Sequence, residues 1–221
     1  MSDEGKSIAL FDFDNVVWNG HSFFPVAKWL VDEKVIGQKV WDDIQAVMKR
    51  YKAKEQDYAQ TVKDLFVVFG QGLTDLSYDV VQAKVQEYFE KVLPKLKEAH
   101  EVWLVTNNSQ MVGQSIQNIF GLDGYVSSEL EVIDGKFTGK TVNTFAEGKG
   151  NIAEFVGRYG GETIAVGDSK NDVEMLRLVK HPVCFKPDDE LLAIALKNRW
   201  LVVQPEDAEE KIRSLARGFG V

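Results

Sequence analysis

Two aspartates near the amino terminus have the spacing of a chemical site. Asp12 and Asp14 directly follow the apolar run I-A-L-F at residues 8–11. Alternate residues of an extended chain share one face, so the two carboxylates can converge on one point, although the chain can begin to curl there. Converging carboxylates repel each other unless one is protonated or a cation lies between them. Mg²⁺ suits such oxygen ligands, and an ordinary acidic turn is the alternative interpretation.

A second acidic pair occurs in the segment G-D-S-K-N-D at residues 167–172. Helical spacing would bring Asp168 and Asp172 to roughly one side, and Gly167 permits a close backbone approach to a ligand. Asp168 or Ser169 could instead simply cap a helix. A helix cap does not explain why acidic motifs follow two separate predicted strands. Their joint occurrence therefore indicates a shared acidic site.

The sheet that positions these residues is predicted from an alternation of strands and helices after Glu101. Short apolar runs predict strands at 102–105, 163–166, 183–185 and 201–203, and helical patterns lie at 110–120, 150–159, 172–179 and 190–196. This alternation predicts an α/β fold with a doubly wound parallel sheet. Ligands of such sheets bind beyond the carboxyl ends of the strands. We therefore expect Asp12 and Asp14, Thr106 and Asn107, and Asp168 to lie at that edge.

The residues between the first two strands have a different, helical pattern. Apolar side chains spaced three and four apart predict four amphipathic helices, separated near residues 34–37, 53–56 and 70–74. We predict an inserted four-helix cap over residues 19–93 and a Rossmann-like core formed by residues 1–18 and 94–221. Further along, Asp134-Gly135 between two alternating segments predicts a β-hairpin.

Composition restricts the kind of partner. The chain has 221 residues and a formal net charge of −8, which argues against nucleic acid as a partner. Its single cysteine, Cys184, lies in an apolar run and fits a buried position in a reducing compartment. No apolar run approaches the roughly 20 residues that a bilayer span requires. We therefore predict a cytoplasmic protein without a membrane or nucleic-acid partner; no pattern predicts its oligomeric state.

In their order along the chain, these motifs resemble those of the haloacid dehalogenase superfamily. The D-F-D at 12–14, the V-T-N-N at 105–108, Lys149 and the acidic segment at 167–172 match its four motifs in turn. Within the superfamily, the hairpin and the inserted helices are similar to the phosphoserine phosphatase branch, which has a helical cap of the C1 type. The resemblance covers essentially the whole chain and is weakest across the helices.

The resemblance implies a role for each acidic residue. Asp12 would be the nucleophile that forms an aspartyl-phosphate, and Asp14 would be the general acid and then the base. Asp12, the backbone carbonyl of Asp14 and Asp168 would hold Mg²⁺. Asp172 would hold metal-bound water or orient Lys149.

The resemblance also implies three phosphate-binding groups. Thr106 and Asn107 would grip the phosphoryl oxygens, and Lys149 would compensate their charge. Lys140 and Lys170 are alternatives to Lys149, which is favoured because it opens a predicted helix between the hairpin and the acidic segment.

The implied function is Mg²⁺-dependent hydrolysis of a small phosphomonoester. Phosphoserine itself is disfavoured, because the family's substrate-reading glutamate is absent from W-N-G-H-S at 18–22 and no carboxylate follows before Asp32. His21, Arg50 and Asn108 are the candidate substrate contacts.

Three other functions compete with hydrolysis. A phosphotransferase of the same branch would use the same residues, so it stays open. A non-catalytic phospholigand-binding protein is also an alternative, although the nucleophile, the acid and the lysine are all present. A dehalogenase is disfavoured because it needs neither Mg²⁺ nor a second acid.

Overall fold

The computed structural model describes residues 7–18, 20–92, 101–145, 148–149, 152–207 and 211. Its packing separates two compact units. The first unit contains residues 1–19, 99–103 and 148–221, and the second contains residues 20–98 and 104–147. This is a division by packing; the functional division into core and cap remains a prediction.

The described strands form one seven-stranded sheet with the order β4-β3-β2-β1-β5-β6-β7. The strands are β1 Ile8–Phe11, β2 Val102–Ser109, β3 Gly124–Ile133, β4 Lys136–Asn143, β5 Thr163–Gly167, β6 His181–Phe185 and β7 Leu201–Val203. The strands β1, β5, β6 and β7 pair in parallel, and β3 pairs antiparallel with β4. The predicted α/β sheet is thereby confirmed.

In the first unit, the parallel strands are built mainly from apolar residues. Leu10 of β1, Ala165 of β5 and Cys184 of β6 share one face of the sheet and are fully buried, whereas Ala9 and Ile164 on the other face are half-buried. Three helices follow the strands: α6 Ala153–Val156, α7 Val173–Arg177 and α8 Asp189–Asn198. Because parallel strands point the same way, the residues that follow β1 and β5 emerge at one edge of the sheet.

The second unit contains the four predicted amphipathic helices. They are α1 Phe23–Asp32, α2 Gln38–Lys52, α3 Tyr58–Gly72 and α4 Tyr78–Val92. Their predicted apolar stripes are buried, for example Leu30, Ile44, Leu65 and Val85. Burial of these stripes, rather than helix propensity alone, stabilises such helices. A fifth helix, α5 Gln110–Phe120, has the predicted bounds.

The predicted hairpin forms between β3 and β4. Asp134 and Gly135 have φ angles of 50° and 77°, so both central residues of the turn are left-handed, as a two-residue hairpin turn requires. Residues next to α4 then pair with β4, since Asp75 N donates to Phe137 O over 2.8 Å.

Three element boundaries differ from the predictions. The strand β2 continues to Ser109 rather than ending before Thr106, and in this extension Asn107 O accepts a hydrogen bond from Ser128 Oγ of β3 over 2.8 Å. The helix predicted at 150–159 is reduced to α6, which Gly157 follows directly, while residues 150–151 lie outside the described part. Glycine is a poor helix former, which accounts for the early end. The helix predicted at 172–179 is a 3₁₀ turn at Lys170–Asp172 followed by α7.

Within the described ranges, no helix is both long and apolar enough to span a bilayer.

Candidate active site

Asp12 lies immediately beyond the carboxyl end of β1, in the first unit. Its backbone N–H donates to Val166 O over 2.9 Å and so prolongs the pairing with β5. Its carboxylate oxygen Oδ1 accepts a hydrogen bond from Phe13 N over 2.7 Å. Asp12 is 8% exposed, so this carboxylate is nearly withdrawn from solvent.

Lys149 brings the first and the last motif together. Its Nζ lies 2.6 Å from Asp12 Oδ1 and 2.7 Å from Asp172 Oδ1, and its side chain is 1% exposed. Both contacts are close ion pairs. The backbone N–H of Lys149 donates to Asn171 O over 3.2 Å, which fixes the residue beside the acidic segment. A buried charge is costly unless it is paired, and the two carboxylates provide this pairing for the ammonium of Lys149.

The two alternative lysines lie elsewhere. Lys140 has a side chain that is 76% exposed and a Glu131 oxygen 3.8 Å away. Lys170 is 67% exposed and pairs with Glu190 at 2.6 Å. Both therefore have the solvated, surface-paired environment that is ordinary for lysine.

The acidic segment folds tightly around Asp172, which is fully buried. Asp172 Oδ2 accepts hydrogen bonds from Asp168 N over 3.0 Å and from Ser169 N over 3.1 Å. Ser169 and Asp172 also form a reciprocal capping box. A Cβ atom at Gly167 would lie 2.5 Å from Asp172 Cβ, so only glycine fits there. The carboxylate of Asp172 thus supports the loop with one oxygen and contacts Lys149 with the other.

Asp12, Asp168 and Asp172 form a cluster in which one carboxylate oxygen from each lies within 4.8 Å of the others. Burial raises the pKa of Asp12 well above its ordinary value, against the opposing effect of Lys149. Burial, followed by the neighbouring Asp172, raises the pKa of Asp168 to about 7. The Asp12 and Asp172 carboxylates raise the pKa of Lys149, outweighing the burial that would lower it. Lys149 is therefore a fixed positive charge.

This cluster is chemically suited to a cation. When all three carboxylates are ionised, the single ammonium of Lys149 leaves two negative charges that the described side chains of the cluster do not balance. Oxygen ligands around an excess of negative charge are the environment that hard dications prefer. Asp12 and Asp168 are the better donors, because both oxygens of Asp172 have protein contacts.

Asp14 lies where the chain leaves the strand. β1 ends at Phe11, and Asp14 forms an isolated bridge with Trp18 while Asn15 takes a left-handed φ of 61°. The chain therefore curls after Asp12, as the sequence allowed. The carboxylate of Asp14 is not among the three clustered ones, and its predicted chemical role remains a prediction.

Asn15 is a site residue to which sequence reasoning gave no function. Its side chain hydrogen-bonds to the Asp168 carboxylate, which favours the ionised form of that group. The available signal was an asparagine directly after D-x-D, since asparagine tolerates left-handed conformations.

The three polar residues of the second motif lie on β2 in the second unit. Thr106 is 1% exposed, and its hydroxyl accepts from Asn108 N over 3.1 Å. Asn107 Nδ2 donates to Tyr58 Oη over 3.1 Å. Asn108 Nδ2 donates to Ser22 Oγ over 2.7 Å, and both of these residues are buried. Sequence reasoning missed Tyr58 and Ser22, because neither has a local pattern that identifies its distant partner.

The remaining candidate substrate contacts lie in the helical part of the second unit. Arg50 Nη2 lies 3.0 Å from Asp64 Oδ2, and its Nε donates to Gln56 Oε1 over 3.0 Å. Arg50 thus links α2 to α3. His21 is exposed immediately before α1. The roles of Arg50 and His21 in substrate binding remain predictions.

Sheet and site together define an α/β protein with a buried carboxylate–lysine centre at the carboxyl ends of parallel strands. Comparison with known proteins agrees with this description of the fold and the site. The family model described as haloacid dehalogenase-like hydrolase matches residues 7–180. The chain belongs to this family of hydrolases.

Individual relatives are named as phosphatases. The chain is 23% identical to histidinol-phosphatase of Neisseria meningitidis, over 90% of this chain and 98% of that protein. It is 25% identical to phosphoserine phosphatase of Methanocaldococcus jannaschii, over 84% of this chain and 89% of that protein. These relatives confirm the resemblance to the phosphoserine phosphatase branch and support phosphatase activity.

Among solved structures, a Bordetella pertussis protein of unknown function is similar, with a TM-score of 0.70 and 22% identity. The match covers 90% of this chain and 98% of that one. It shows that the fold is shared.

Proposed function

We propose that this protein is a Mg²⁺-dependent phosphomonoester hydrolase that works through an aspartyl-phosphate on Asp12. The observation that carries the proposal is the buried Lys149, whose Nζ contacts Asp12 and Asp172 at 2.6 and 2.7 Å. Burial and the neighbouring Asp172 also raise the pKa of both Asp12 and Asp168, and shifted pKa values cluster at catalytic sites.

In the first step, a carboxylate oxygen of Asp12 attacks phosphorus. The new Asp12 O–P bond forms as the bond between phosphorus and the leaving oxygen breaks, and the carboxyl group of Asp14 gives its proton to that oxygen. Asp12 is well placed for this role, because Phe13 N–H and Lys149 hold its Oδ1 and orient the side chain. Orientation of this kind removes much of the entropic cost of the reaction.

In the second step, water attacks the phosphorus of the aspartyl-phosphate. Asp14, now a carboxylate, takes the proton from water, the Asp12 O–P bond breaks, and inorganic phosphate leaves. Both steps use the same two aspartates, so the enzyme returns to its initial protonation state.

Charge compensation is the second requirement, since a phosphate dianion is repelled by carboxylates. Asp12, the backbone carbonyl of Asp14 and Asp168 would hold Mg²⁺, which supplies two positive charges at the phosphoryl group. Lys149 adds a permanent positive charge and holds Asp12 in position. Thr106 and Asn107 keep their proposed role of binding the phosphoryl oxygens, although one N–H of Asn107 already donates to Tyr58.

The substrate that we propose is a small phosphorylated metabolite. The named relatives are phosphatases for histidinol phosphate and phosphoserine. Asn108 and Arg50 are the weaker substrate candidates, because Ser22 and Asp64 already contact them. His21 is the stronger candidate, because its side chain is exposed.

We also propose that residues 19–93 act as the cap over a core of residues 1–18 and 94–221. We further propose that the protein works in the cytoplasm.

Phosphate release from a panel of phosphomonoesters, with Mg²⁺ or with EDTA, tests the proposal. We expect release that requires Mg²⁺ and is lost in Asp12→Asn, a variant that keeps the size of the side chain. Turnover in EDTA, or turnover unchanged in Asp12→Asn, would refute it. Adding candidate alcohol acceptors distinguishes hydrolysis from phosphoryl transfer, since transfer yields a new phosphomonoester in place of free phosphate.

A further inference from the structure

A cleft of about 630 Å³ opens in the first unit at the amino ends of β6 and β7. His181 is the first residue of β6, and Leu201 is the first residue of β7. Asp12 and Asp168, in contrast, follow the carboxyl ends of β1 and β5. In a parallel sheet these are opposite edges, so the cleft is separate from the proposed catalytic centre.

The side chains that line this cleft are unusually basic for an acidic protein. The polar and aromatic ones are Arg177, Lys180, His181, Asn198, Arg199 and Trp200. The chain as a whole has a formal net charge of −8, yet among the described residues no acidic one lines the cleft. A concave surface lined by one sign of charge concentrates ligands of the other sign.

Acidic neighbours balance only part of this charge. Arg177 pairs with Glu174 at 2.9 Å, and Lys180 lies 3.4 Å from Glu162. Glu162 also contacts His181. Arg199, by contrast, has no ion pair with any residue in the described part of the chain. Its guanidinium is therefore available to a ligand.

The backbone at Arg199 gives an independent reason to look for a role. Arg199 ends α8 with a left-handed φ of 58°, the position at which helices commonly use glycine. A residue with a Cβ atom is strained there, whereas glycine is not. A residue other than glycine at a strained position is a reason to look for function in its side chain.

We propose that this cleft, defined by Arg177, Lys180, His181 and Arg199, binds a small multivalent oxyanion. The planar guanidinium groups of Arg177 and Arg199 match the paired oxygens of phosphate or carboxylate. The ammonium of Lys180 adds a charge, and the half-buried Trp200 forms an apolar wall. The volume suits a ligand of metabolite size.

Calorimetric titration of the full-length protein, freed of metal by passage over a chelating resin, tests this proposal with two probes, pyrophosphate and citrate. Without metal, the acidic cluster repels anions, so binding at the catalytic centre does not contribute. We expect one equivalent of at least one probe to bind, and the probe that binds identifies the ligand as a phosphate or a carboxylate. Absence of binding by both would overturn the proposal.

The variant Arg199→Gly makes the test specific. Glycine adopts the left-handed conformation without strain, so the thermal stability should stay equal or rise while affinity falls at least about tenfold. Arg199→Lys should retain part of the affinity. Arg158→Gln, an exposed arginine paired with Glu154 in the same unit, is the matched control and should bind like wild type.

Two results would contradict the assignment. Equal affinity in wild type and Arg199→Gly would place the anion elsewhere. An equal loss in Arg158→Gln would show general charge attraction and no defined site. Because no step requires catalysis, neither result depends on the proposed hydrolysis.

Discussion

At the scale of single residues, Lys149 is the point on which the candidate site depends. It is a long cationic side chain that is almost fully buried, and it touches carboxylates from the first and the last motif. Few lysines are buried in this way unless they are paired. The pairing explains why a flexible side chain is held in one orientation beside the proposed nucleophile.

Replacing Lys149 by methionine should damage both stability and catalysis. The change leaves two buried carboxylates without their counter-charge, which costs about 3–5 kcal/mol when a buried pair is broken. Turnover should fall at least about a hundredfold, because the charge that we propose to stabilise the phosphoryl group is lost. Urea unfolding and phosphate release at low temperature measure the two effects. The exposed Lys170→Met is the matched control, and an equal effect there would contradict the assigned role.

The raised pKa of Asp168 predicts how the metal-free protein responds to pH. Burial and Asp172 raise this pKa from 3.8 to about 7 in the folded protein. Between these two values the folded state holds a proton that the unfolded state has lost. Stability must therefore decrease as pH rises through this window, and level off above it.

Thermal unfolding in EDTA from pH 4.5 to 8 checks this sign. We expect the melting temperature of wild type to fall with rising pH more steeply than that of Asp168→Asn. Added Mg²⁺ should raise the melting temperature more at pH 8 than at pH 5, because the ion competes with the proton. A pH slope that Asp168→Asn leaves unchanged would contradict this interpretation.

At the scale of elements, the helices of the second unit owe their positions to buried apolar stripes, and α3 also has a side-chain cap. The helix α3 shows both. Leu65 and Phe69 are buried, and Asp57 caps the amino terminus by accepting from Gln60 N over 2.8 Å. Phe69 also stacks edge-on against Phe23 of α1, with ring centroids 5.4 Å apart.

Removing the cap of α3 gives a prediction of modest size. Asp57→Ala leaves a backbone N–H without its acceptor and should lower the free energy of unfolding by about 1 kcal/mol. Asp57→Asn keeps an acceptor oxygen and should stay close to wild type. Urea unfolding of the two variants measures the difference. An Asn variant as unstable as the Ala variant would assign the effect to charge rather than to the cap.

At the scale of the whole molecule, the sequence predicts most of the elements because each has a local period. The four inserted helices, α5 and the turn at Asp134-Gly135 are all specified by residues close together in the chain. Boundaries set by distant partners were predicted less well. The strand β2 continues through Thr106 and Asn107 because Ser128, far along the chain, donates to Asn107 O over 2.8 Å.

In the candidate site, too, features set by residues close together in the chain were predictable, whereas contacts between distant residues were not. The acidic residues stand out because their motifs are short, and the pairing of β1 with β5 brings Asp12, Asp168 and Asp172 into one cluster. The contact of Lys149 with Asp12 spans most of the chain and has no local pattern. Neither the link from Asn15 to Asp168 nor the one from Tyr58 to Asn107 could be found without the fold.

The proposed nucleophile is tested most directly by finding where the phosphoryl group resides during turnover. Wild-type protein is mixed with Mg²⁺ and the best substrate of the panel, quenched in acid within one turnover, digested and analysed by mass spectrometry. We predict one phosphoryl group on Asp12, with none in Asp12→Asn. A phosphoryl group on any other residue, or turnover with no phosphorylated peptide at any time, would contradict the role of Asp12.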